Sequence, residues 1–422
     1  MTSPKQSWWQ RLARFVFGKH LANSTIRNSK LASLHLEQLE ERSCPSTVIW
    51  DGSGNDNLWS NHLNWSTGTV PGSADDVLIN PGNITIVNDL ASTAVNSIQS
   101  DANLVFNHSL SLAANSAISG SVSLAGSLNL PSGVTLSLGG GGDIHASISL
   151  ASSAVLQLQS GIFTVDSGTS FSGAGTLEVT SAYAGSACAD IPAGFSAPNV
   201  LLDDGGIIDG SGTFTVSNSM TYAGGTLTGS GTLDVVAGAT LLINSSAQRN
   251  LEGGYTLQND GSALWTDDGT IMSTTGSGLF QNNGSLSIQG DGTLRGYTGS
   301  LTLDNSSTGT ITKSASSGTT ILNNVALDNY GSIDVQSGTL ELDGGGTSTA
   351  TVTIESGATL AFNGPSTTYI LSAPSTTSGA GTVNITAGTV QVNGSYSVAL
   401  TEVGGLGGYI GTFEVDANKT IP

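Results

Sequence analysis

The sequence predicts an all-β protein: a parallel β-helix (β-solenoid) preceded by a short N-terminal leader that is helical or disordered. The first observation is a period, because four asparagines beside near-copies of one phrase are separated by 23, 23 and 24 residues: Asn259, Asn282, Asn305 and Asn329. A fixed period of this size is typical of stacked repeats. If each repeat forms one coil, these side chains stack and their amides hydrogen-bond in a ladder.

Two further observations support the same fold. Short runs in which apolar and polar residues alternate, such as 134–138 and 340–342, recur along the chain and are typical of β-strands. The tripeptide Gly-Thr/Ser-apolar (Val, Ile, Leu or Phe) occurs sixteen times between Gly120 and Gly411, which suits a turn that leads into a strand. The alternation also disfavours disorder, which a chain rich in glycine and serine could otherwise indicate.

We expect three regions along the chain. Residues 1–45 form a basic export leader, partly helical or disordered, and residues 46–100 form a tryptophan-rich β segment that caps the solenoid. Residues 101–422 form the repeat body, with about 23 residues per coil and irregular spacing before residue 238 and after residue 344. We expect turns at the glycine runs 139–142 and 344–346, and a loop that leaves the stack at residues 183–198.

The leader has a specific sequence signature. Residues 36–42 read Leu-Glu-Gln-Leu-Glu-Glu-Arg and are followed by Pro45-Ser46. This segment resembles the "LE-x-LE-x-R" leader of many large planctomycete surface proteins. The resemblance implies export, with the mature chain starting just after the leader. Ser43-Cys44 stands where that family commonly has a Leu-Leu pair, so the cleavage position stays open.

The segment that follows the leader is rich in tryptophan. Trp50, Trp59 and Trp65 stand in a "W-D-G … W … N-W … P … D-D-V-x-I" order. This order resembles the opening segment of long bacterial adhesin-like and autotransporter-associated repeat proteins, and the body resembles the passenger β-helix of bacterial adhesins. We expect the three rings to cover the first coil, since an open solenoid end exposes core and strand edges. An exposed platform for sugars is the alternative.

Charge limits the classes of partner. Residues 1–42 carry seven basic and three acidic residues, so the remaining four basic and twenty-eight acidic residues give the rest of the chain a net charge of −24. Such a body repels nucleic acid and anionic membranes. No apolar run approaches the length of a transmembrane helix. The expected partners are cell-surface or matrix components, with polysaccharide as one possibility, and the oligomeric state stays open.

The search for chemistry predicts no catalytic, cofactor-binding or metal-binding residue, and no cofactor. The five histidines lack ligand spacing, and Cys44 and Cys188 are expected to be unpaired thiols. Two acidic groups are expected to be turn residues, with Ca²⁺ binding or acid–base catalysis on a sugar as alternatives. They are Asp203, Asp204 and Asp209, and the pair Asp267 and Asp268.

These expectations favour a non-enzymatic structural or adhesin-like β-helix protein that is secreted or held at the cell surface. One alternative is a β-helix polysaccharide lyase or hydrolase. Such an enzyme needs a basic residue beside an acidic cluster. None of the four basic residues after residue 42 lies near an acidic cluster in sequence. These residues are Arg249, Arg295, Lys313 and Lys419. The other alternative is a carbohydrate-binding module that uses Trp50, Trp59 and Trp65.

Overall fold

The computed structural model describes residues 46–182, 185–203 and 205–416, and the predicted leader, residues 1–45, lies outside them. In the described part the chain winds into a parallel β-solenoid of about 16 turns. The predicted fold class, an all-β parallel β-helix, is therefore confirmed. The helical content of the described part is one short 3-10 helix, His62–Asn64.

The coils have three faces, and each coil contributes a strand to each face. The first face pairs in parallel from the first described strand onward. Its strands are Ser46–Ile49, Asp75–Ile79, Ser97–Ser100, Ser116–Ile118, Thr135–Leu138, Val155–Leu158, Thr176–Val179, the later parts of Phe195–Leu202 and Thr213–Tyr222, Thr240–Ile243, Ser262–Trp265, Ser285–Ile288, Thr310–Lys313, Ser332–Val335, Thr351–Ile354, and the first parts of Thr376–Val392 and Ser395–Val403.

The second face follows the first in each coil and is also parallel throughout. Its strands are Thr85–Asn88, Asn103–Phe106, Val122–Leu124, Gly142–Ile144, Gly161–Val165, Gly185–Ile191, Ile207–Gly210, Gly225–Leu227, Arg249–Leu251, Thr270–Ser273, Thr293–Gly296, Thr319–Asn323, Thr339–Leu342, the first part of Thr359–Leu371, the middle of Thr376–Val392 and the end of Ser395–Val403.

The third face is divided into two hydrogen-bonded stacks, because its first five strands form a sheet of their own. These five are Ser92–Val95, Ser109–Leu112, Ser127–Leu130, Ser147–Leu150 and Ser170–Gly173. The others are the first parts of Phe195–Leu202 and Thr213–Tyr222, then Thr232–Val235, Tyr255–Asn259, Ser277–Asn282, Ser300–Asn305, Val325–Asn329, Gly346–Ser348, the last parts of Thr359–Leu371 and Thr376–Val392, and Tyr409–Val415. Two short strands, Ser181–Ala182 and Gly405–Leu406, make antiparallel hairpins with the strands that follow them.

The core lies inside the coils because apolar and polar residues alternate along the strands. One inward column on the third face is apolar in five successive coils: Leu233, Leu257, Phe280, Leu303 and Leu327. Strands stack at about 4.8 Å, so each inward side chain packs against its counterparts in the coils above and below. This packing joins the inward residues of the faces into one hydrophobic core.

Coil length varies along the body. Paired residues are 20 apart at Leu136 and Leu156, and 23 apart at Asn259 and Asn282. Glycines stand at several corners, where they allow turns that other residues rarely adopt. The predicted turns at 139–142 and 344–346 are present at corners, and Gly142, with φ +135°, lies so close to Val122 that a Cβ would overlap its carbonyl oxygen.

The predicted loop at residues 183–198 is wrong. Strand Gly185–Ile191 lies in the second face, and strand Phe195–Leu202 crosses from the third face to the first. Alternating inward residues in this segment, such as Ala189 and Phe195, are buried and hold it in the stack. Pro198 is accommodated where the pairing register shifts, between Ala197 and Asn199.

The predicted asparagine ladder is present. The Nδ2 atoms of Asn259, Asn282 and Asn305 each donate to the Oδ1 atom of the next asparagine, at 2.8, 2.8 and 2.7 Å. The last member, Asn329, donates to Ser348 Oγ at 2.9 Å. All four asparagines are fully buried, and each of the first three also donates to a backbone carbonyl of the following coil.

The first acceptor of the ladder lacks a donor. Asn259 Oδ1 is buried and has no hydrogen-bond partner among the described residues, because its neighbour in the preceding coil is Val235. The ladder therefore begins beneath an apolar residue and runs toward the C-terminal coils. A buried polar atom without a partner lowers stability, so this end of the ladder is its weak point.

Candidate functional surface

The three tryptophans near the start of the body do not form an exposed platform. Trp50, Trp59 and Trp65 are 3%, 0% and 2% exposed. Trp65 packs edge-on against both of the other rings, and Trp59 contacts Phe106 in the core. A sugar cannot stack on rings that lie inside the protein. The burial of all three rings therefore disfavours the alternative hypothesis of a sugar-binding platform on them.

Of the first acidic group, the structure describes two residues, Asp203 and Asp209. Asp204 lies outside the described residues, and Asp209 pairs across coils with Asp190 on the second face. Asp203 lies in the corner before that strand. Over the described ranges, no three His, Cys, Asp or Glu side chains come together in a way that could hold a metal ion.

The second acidic group is divided between two structural roles. Asp267 forms an ion pair with the fully buried Arg249, at 2.8 Å between Oδ1 and Nη2. The same carboxylate also accepts hydrogen bonds from Trp265 Nε1 and from the backbone of Gly269. Asp268, by contrast, is exposed and accepts from a backbone N–H of the next coil. Asp267 is thus occupied inside the protein.

A second buried cation lies on the first face. Lys313 is fully buried, and its Nζ is 3.0 Å from Asp291 Oδ1 and 3.0 Å from the carbonyl oxygen of Gly290. Ser316 hydrogen-bonds to both the lysine and the carboxylate. These hydrogen bonds hold the pKa of Asp291 below its usual value. Two of the three cations in the described part, Arg249 and Lys313, are therefore held in ion pairs inside the protein, which the sequence did not predict.

In the described part of the chain, Cys188 and the three histidines His62, His108 and His145 belong to no cluster that could hold a metal ion. Cys188 is unpaired, as predicted, and half-buried on the second face, whereas Cys44 lies outside the described residues. Burial, with the nearby charges of Asp209 and Asp190, raises the pKa of Cys188 to about 11. His145 makes an exposed pair with Asp166 at 2.6 Å.

We expect Cys188 to react slowly with iodoacetamide. At pH 8 its thiolate fraction is about a hundredfold below that of a thiol with the ordinary pKa, since the pKa is raised by about two units. Peptide mass spectrometry after timed alkylation measures this rate separately from that of Cys44. The same reaction in urea is the control, because unfolding should restore the ordinary rate. Equal rates in both conditions would contradict the burial of Cys188.

A mixed group of polar residues lies on the outer side of the second face. Arg295 and Asn323 are paired positions of adjacent coils, and Asp343 and Asn363 occupy the same place in the next two coils. We call Arg295, Asn323, Asp343 and Asn363 the polar column. Its sequence spacings are 28, 20 and 20 residues, because the corners of these coils differ in length.

Arg295 marks one end of the polar column. The described part of the chain contains three cationic residues, Arg249, Arg295 and Lys313. Arg295 is the exposed one, and it forms no ion pair with a described residue. Its guanidinium lies 4.8 Å from the ring centroid of Tyr297, which is 59% exposed. Stacking of this kind fixes the guanidinium and leaves its N–H groups directed at solvent.

Two carboxyl groups lie at the other end. Glu341 and Asp343 stand two residues apart on one strand edge, so both face outward. Burial, followed by the charge of Glu341 and a hydrogen bond with it, raises the pKa of Asp343 to about 6. Asn363 donates to Glu341 Oε1 at 3.2 Å and accepts from Thr386 at 2.8 Å. Asp343 Oδ1 has no hydrogen-bond partner among the described residues.

We expect Asp343→Asn to stabilise the protein at pH 8 and to change little at pH 4. The folded pKa of Asp343, about 6, lies above the ordinary value of 3.8, so the proton on Asp343 favours the folded state below pH 4. This contribution is lost as the pH rises through 6, where Asp343 ionises beside Glu341. The gain at pH 8 should be about 1 kcal/mol after allowance for solvent screening.

Thermal unfolding of wild type and Asp343→Asn at pH 4, 6 and 8 measures this difference. Glu355→Gln is the control, since it removes one exposed carboxylate that follows the first-face strand Thr351–Ile354. A gain for Asp343→Asn that is equal at pH 4 and pH 8 would contradict the titration described here.

The first face carries a long row of hydroxyl groups. Nine successive coils place a serine or threonine at the same outward position, and eight of the nine are exposed. The residues of this hydroxyl row are Ser219, Thr240, Ser262, Ser285, Thr310, Ser332, Thr351, Thr376 and Ser395. Within it, Ser285 Oγ lies 3.3 Å from Ser262 Oγ.

Comparisons with known proteins found no relative of this chain. No described helix is long and apolar enough to cross a membrane. No protein-family model matches the sequence, and neither the curated proteins nor the solved structures contain a match to it.

Proposed function

We propose that this protein is a non-enzymatic structural or adhesin-like β-helix, exported from the cell and held at or beyond its surface. The hydroxyl row is the observation that carries the proposal. A side chain with one chemistry at nine successive rungs, about 4.8 Å apart, is a repeating surface about 40 Å long. Such a surface suits many weak contacts with an extended partner, whose avidity exceeds the affinity of each contact.

Charge and the leader support an external location. The chain after residue 42 carries a net charge of −24, which disfavours binding to nucleic acid and to anionic membrane surfaces. The resemblance of residues 36–42 to an export leader points the same way. The expected partners are therefore cell-surface or matrix components.

A polysaccharide lyase or hydrolase is the second candidate, and the polar column is the observation that favours it. Register brings Arg295 to within two coils of Asp343, although the two are 48 residues apart in sequence. A carboxyl group with a pKa of about 6 could act as a general acid. However, Glu341 and Asp343 are hydrogen-bonded neighbours, whereas glycoside hydrolysis needs two carboxyl groups about 5 Å or more apart, on either side of the bond. We therefore place the enzyme second.

Mild protease shaving of intact source cells tests the proposal. Mass spectrometry should find peptides from residues 101–416 in the released fraction, and a mature N-terminus between residues 44 and 48. An abundant cytosolic protein measured in the same fraction is the control for cell lysis. Protection of the protein in unbroken cells, with residues 1–43 retained, would overturn both the export leader and the surface role.

A further inference from the structure

We propose that the polar column on the second face, with Tyr297 beside it, is a binding site for an uncharged, linear polysaccharide whose chain runs along the solenoid axis. The inference rests on the proposed function and deepens it, because it assigns a second contact surface, in addition to the hydroxyl row, and the chemistry of the partner that binds there. It concerns the second face, and it does not use the hydroxyl row.

The site offers hydrogen-bond donors and acceptors in alternation, as sugar hydroxyls require. Arg295 presents donors only, Asn323 presents both an amide N–H₂ and a carbonyl oxygen, and the half-buried Glu341, beside Asp343, presents carboxylate acceptors. A hydroxyl group both donates and accepts, so one sugar chain can satisfy all three. A ligand with acceptors alone, such as a phosphate or sulfate, would leave the asparagine and carboxyl groups unmatched.

Tyr297 supplies the apolar part of the site. Its ring is more than half exposed, and Arg295 covers one side of it. An exposed aromatic ring presents flat apolar area to the C–H surface of a sugar, and its two side-chain torsions cost little entropy on binding. Tyrosine and arginine are also the residue types most enriched where binding energy concentrates. The pair is already in contact before any ligand arrives, which favours binding.

Charge selects a neutral ligand. Within the site at neutral pH, Arg295 carries one positive charge, Glu341 carries one negative charge, and Asp343, with a pKa of about 6, adds a second negative charge. The surrounding body is strongly acidic, with twenty-eight acidic and four basic residues after residue 42. A polyanion would meet repulsion from this body over its whole length, whereas an uncharged polymer would meet none. The fit is therefore to a neutral glycan and not to a polyuronate or a nucleic acid.

The dimensions of the site suit a polymer. Arg295 and Asp343 are separated by two rungs, or about 10 Å, and Asn363 adds a third rung. These rungs follow one another along the axis, so the site can follow a few successive sugar units of an extended chain. Each contact is exposed to water and contributes little, so we expect weak binding of oligosaccharides and stronger retention of polymers.

Affinity electrophoresis of the full chain tests the inference. Native gels contain hydroxyethylcellulose, galactomannan or dextran as neutral polymers, and polygalacturonate as the anionic one. We expect at least one neutral polymer to retard the wild type, with no retardation by polygalacturonate. Arg295→Gln and Tyr297→Ala should each raise the apparent dissociation constant for that polymer about tenfold, the usual effect of removing a central contact.

Two further variants separate loss of binding from loss of folding. Arg295→Lys keeps the charge but loses the planar fork, so it should also bind weakly if hydrogen-bond geometry matters. Tyr330→Ala, which removes an exposed tyrosine that follows the third-face strand Val325–Asn329, is the matched control for Tyr297→Ala and should bind as wild type. All variants should retain the thermal unfolding temperature of the wild type, because Arg295 and Tyr297 are exposed.

Three results would overturn the inference: no retardation by any neutral polymer, retardation by polygalacturonate alone, or retardation that Arg295→Gln and Tyr297→Ala leave unchanged. Each of these results leaves the shaving experiment unaffected, so failure of the site is distinguishable from failure of the proposed surface location. Release of new reducing ends from a retarded polymer would instead favour the second candidate function, a polysaccharide lyase or hydrolase.

Discussion

Replacing Asp267 with alanine should lower the local free energy of unfolding by about 3–5 kcal/mol, the usual result of removing one partner from a buried ion pair. The physical reason is that Arg249 is fully buried and would keep its charge without the carboxylate that balances it. Asp267→Ala would also remove the acceptor for Trp265 Nε1 and for the backbone of Gly269.

Hydrogen exchange of peptides from residues 240–290 measures this loss, since it reports the opening of individual coils. Asp268→Ala is the matched control: the neighbouring carboxylate is exposed and accepts one backbone hydrogen bond, so its loss should cost no more than about 1 kcal/mol. Arg249→Met, which removes the charge and keeps an apolar chain, should cost less than Asp267→Ala. Equal losses for Asp267→Ala and Asp268→Ala would contradict the buried ion pair.

The second large effect belongs to the asparagine ladder. Asn282→Leu should cost about 2–4 kcal/mol, because Asn305 Oδ1 loses its donor and Asn259 Nδ2 loses one of its two acceptors inside the core. The leucine must also fit a column whose neighbours are amides. Unfolding in urea, followed by hydrogen exchange of residues 255–335, measures the loss and its spread to adjacent coils.

Val235→Asn is the complementary test, since it adds an amide where the ladder now begins. The new Nδ2 would donate to Asn259 Oδ1, which has no donor in the wild type. We therefore expect a change within about 1 kcal/mol of zero, although an asparagine placed in the core without partners costs about 1–3 kcal/mol. A large loss for Val235→Asn, together with a small one for Asn282→Leu, would show that the amides do not form a ladder.

The fold was predictable from the sequence because its signals are local and repeated. Asn259 and Asn282 mark the coil directly, and alternation in segments such as 134–138 predicts strands without knowledge of their partners. The prediction for residues 183–198 failed because proline, present here as Pro192 and Pro198, usually interrupts a strand. The structure places the first at a corner and the second at a register shift, where proline is tolerated.

The candidate site was not predictable, for two physical reasons. Arg295 and Asp343 lie on the same face only because of the register of two coils of unequal length. The sequence does not reveal how many residues each corner contains. Charged side chains are also seldom buried, so the general tendency disfavours an inward position for a lysine or an arginine. The sequence Ile311-Thr312-Lys313 does indicate that Lys313 is buried. Lys313 stands two residues after the inward-facing Ile311 on the same strand, so it faces inward as well, as the structure shows.

Disulfide trapping across two coils tests most directly the register that assembles the polar column. In a chain whose Cys44 and Cys188 are replaced by serine, Asn323→Cys with Asp343→Cys puts two cysteines directly after the paired residues Leu322 and Leu342. The same register brings the two cysteines to about 4.8 Å from each other, within reach of a disulfide. Asn323→Cys with Glu341→Cys shifts one position by two residues and should not close. Rapid oxidation of the first pair alone is the expected result. Closure of the second pair in preference to the first would contradict the register, and with it the candidate site.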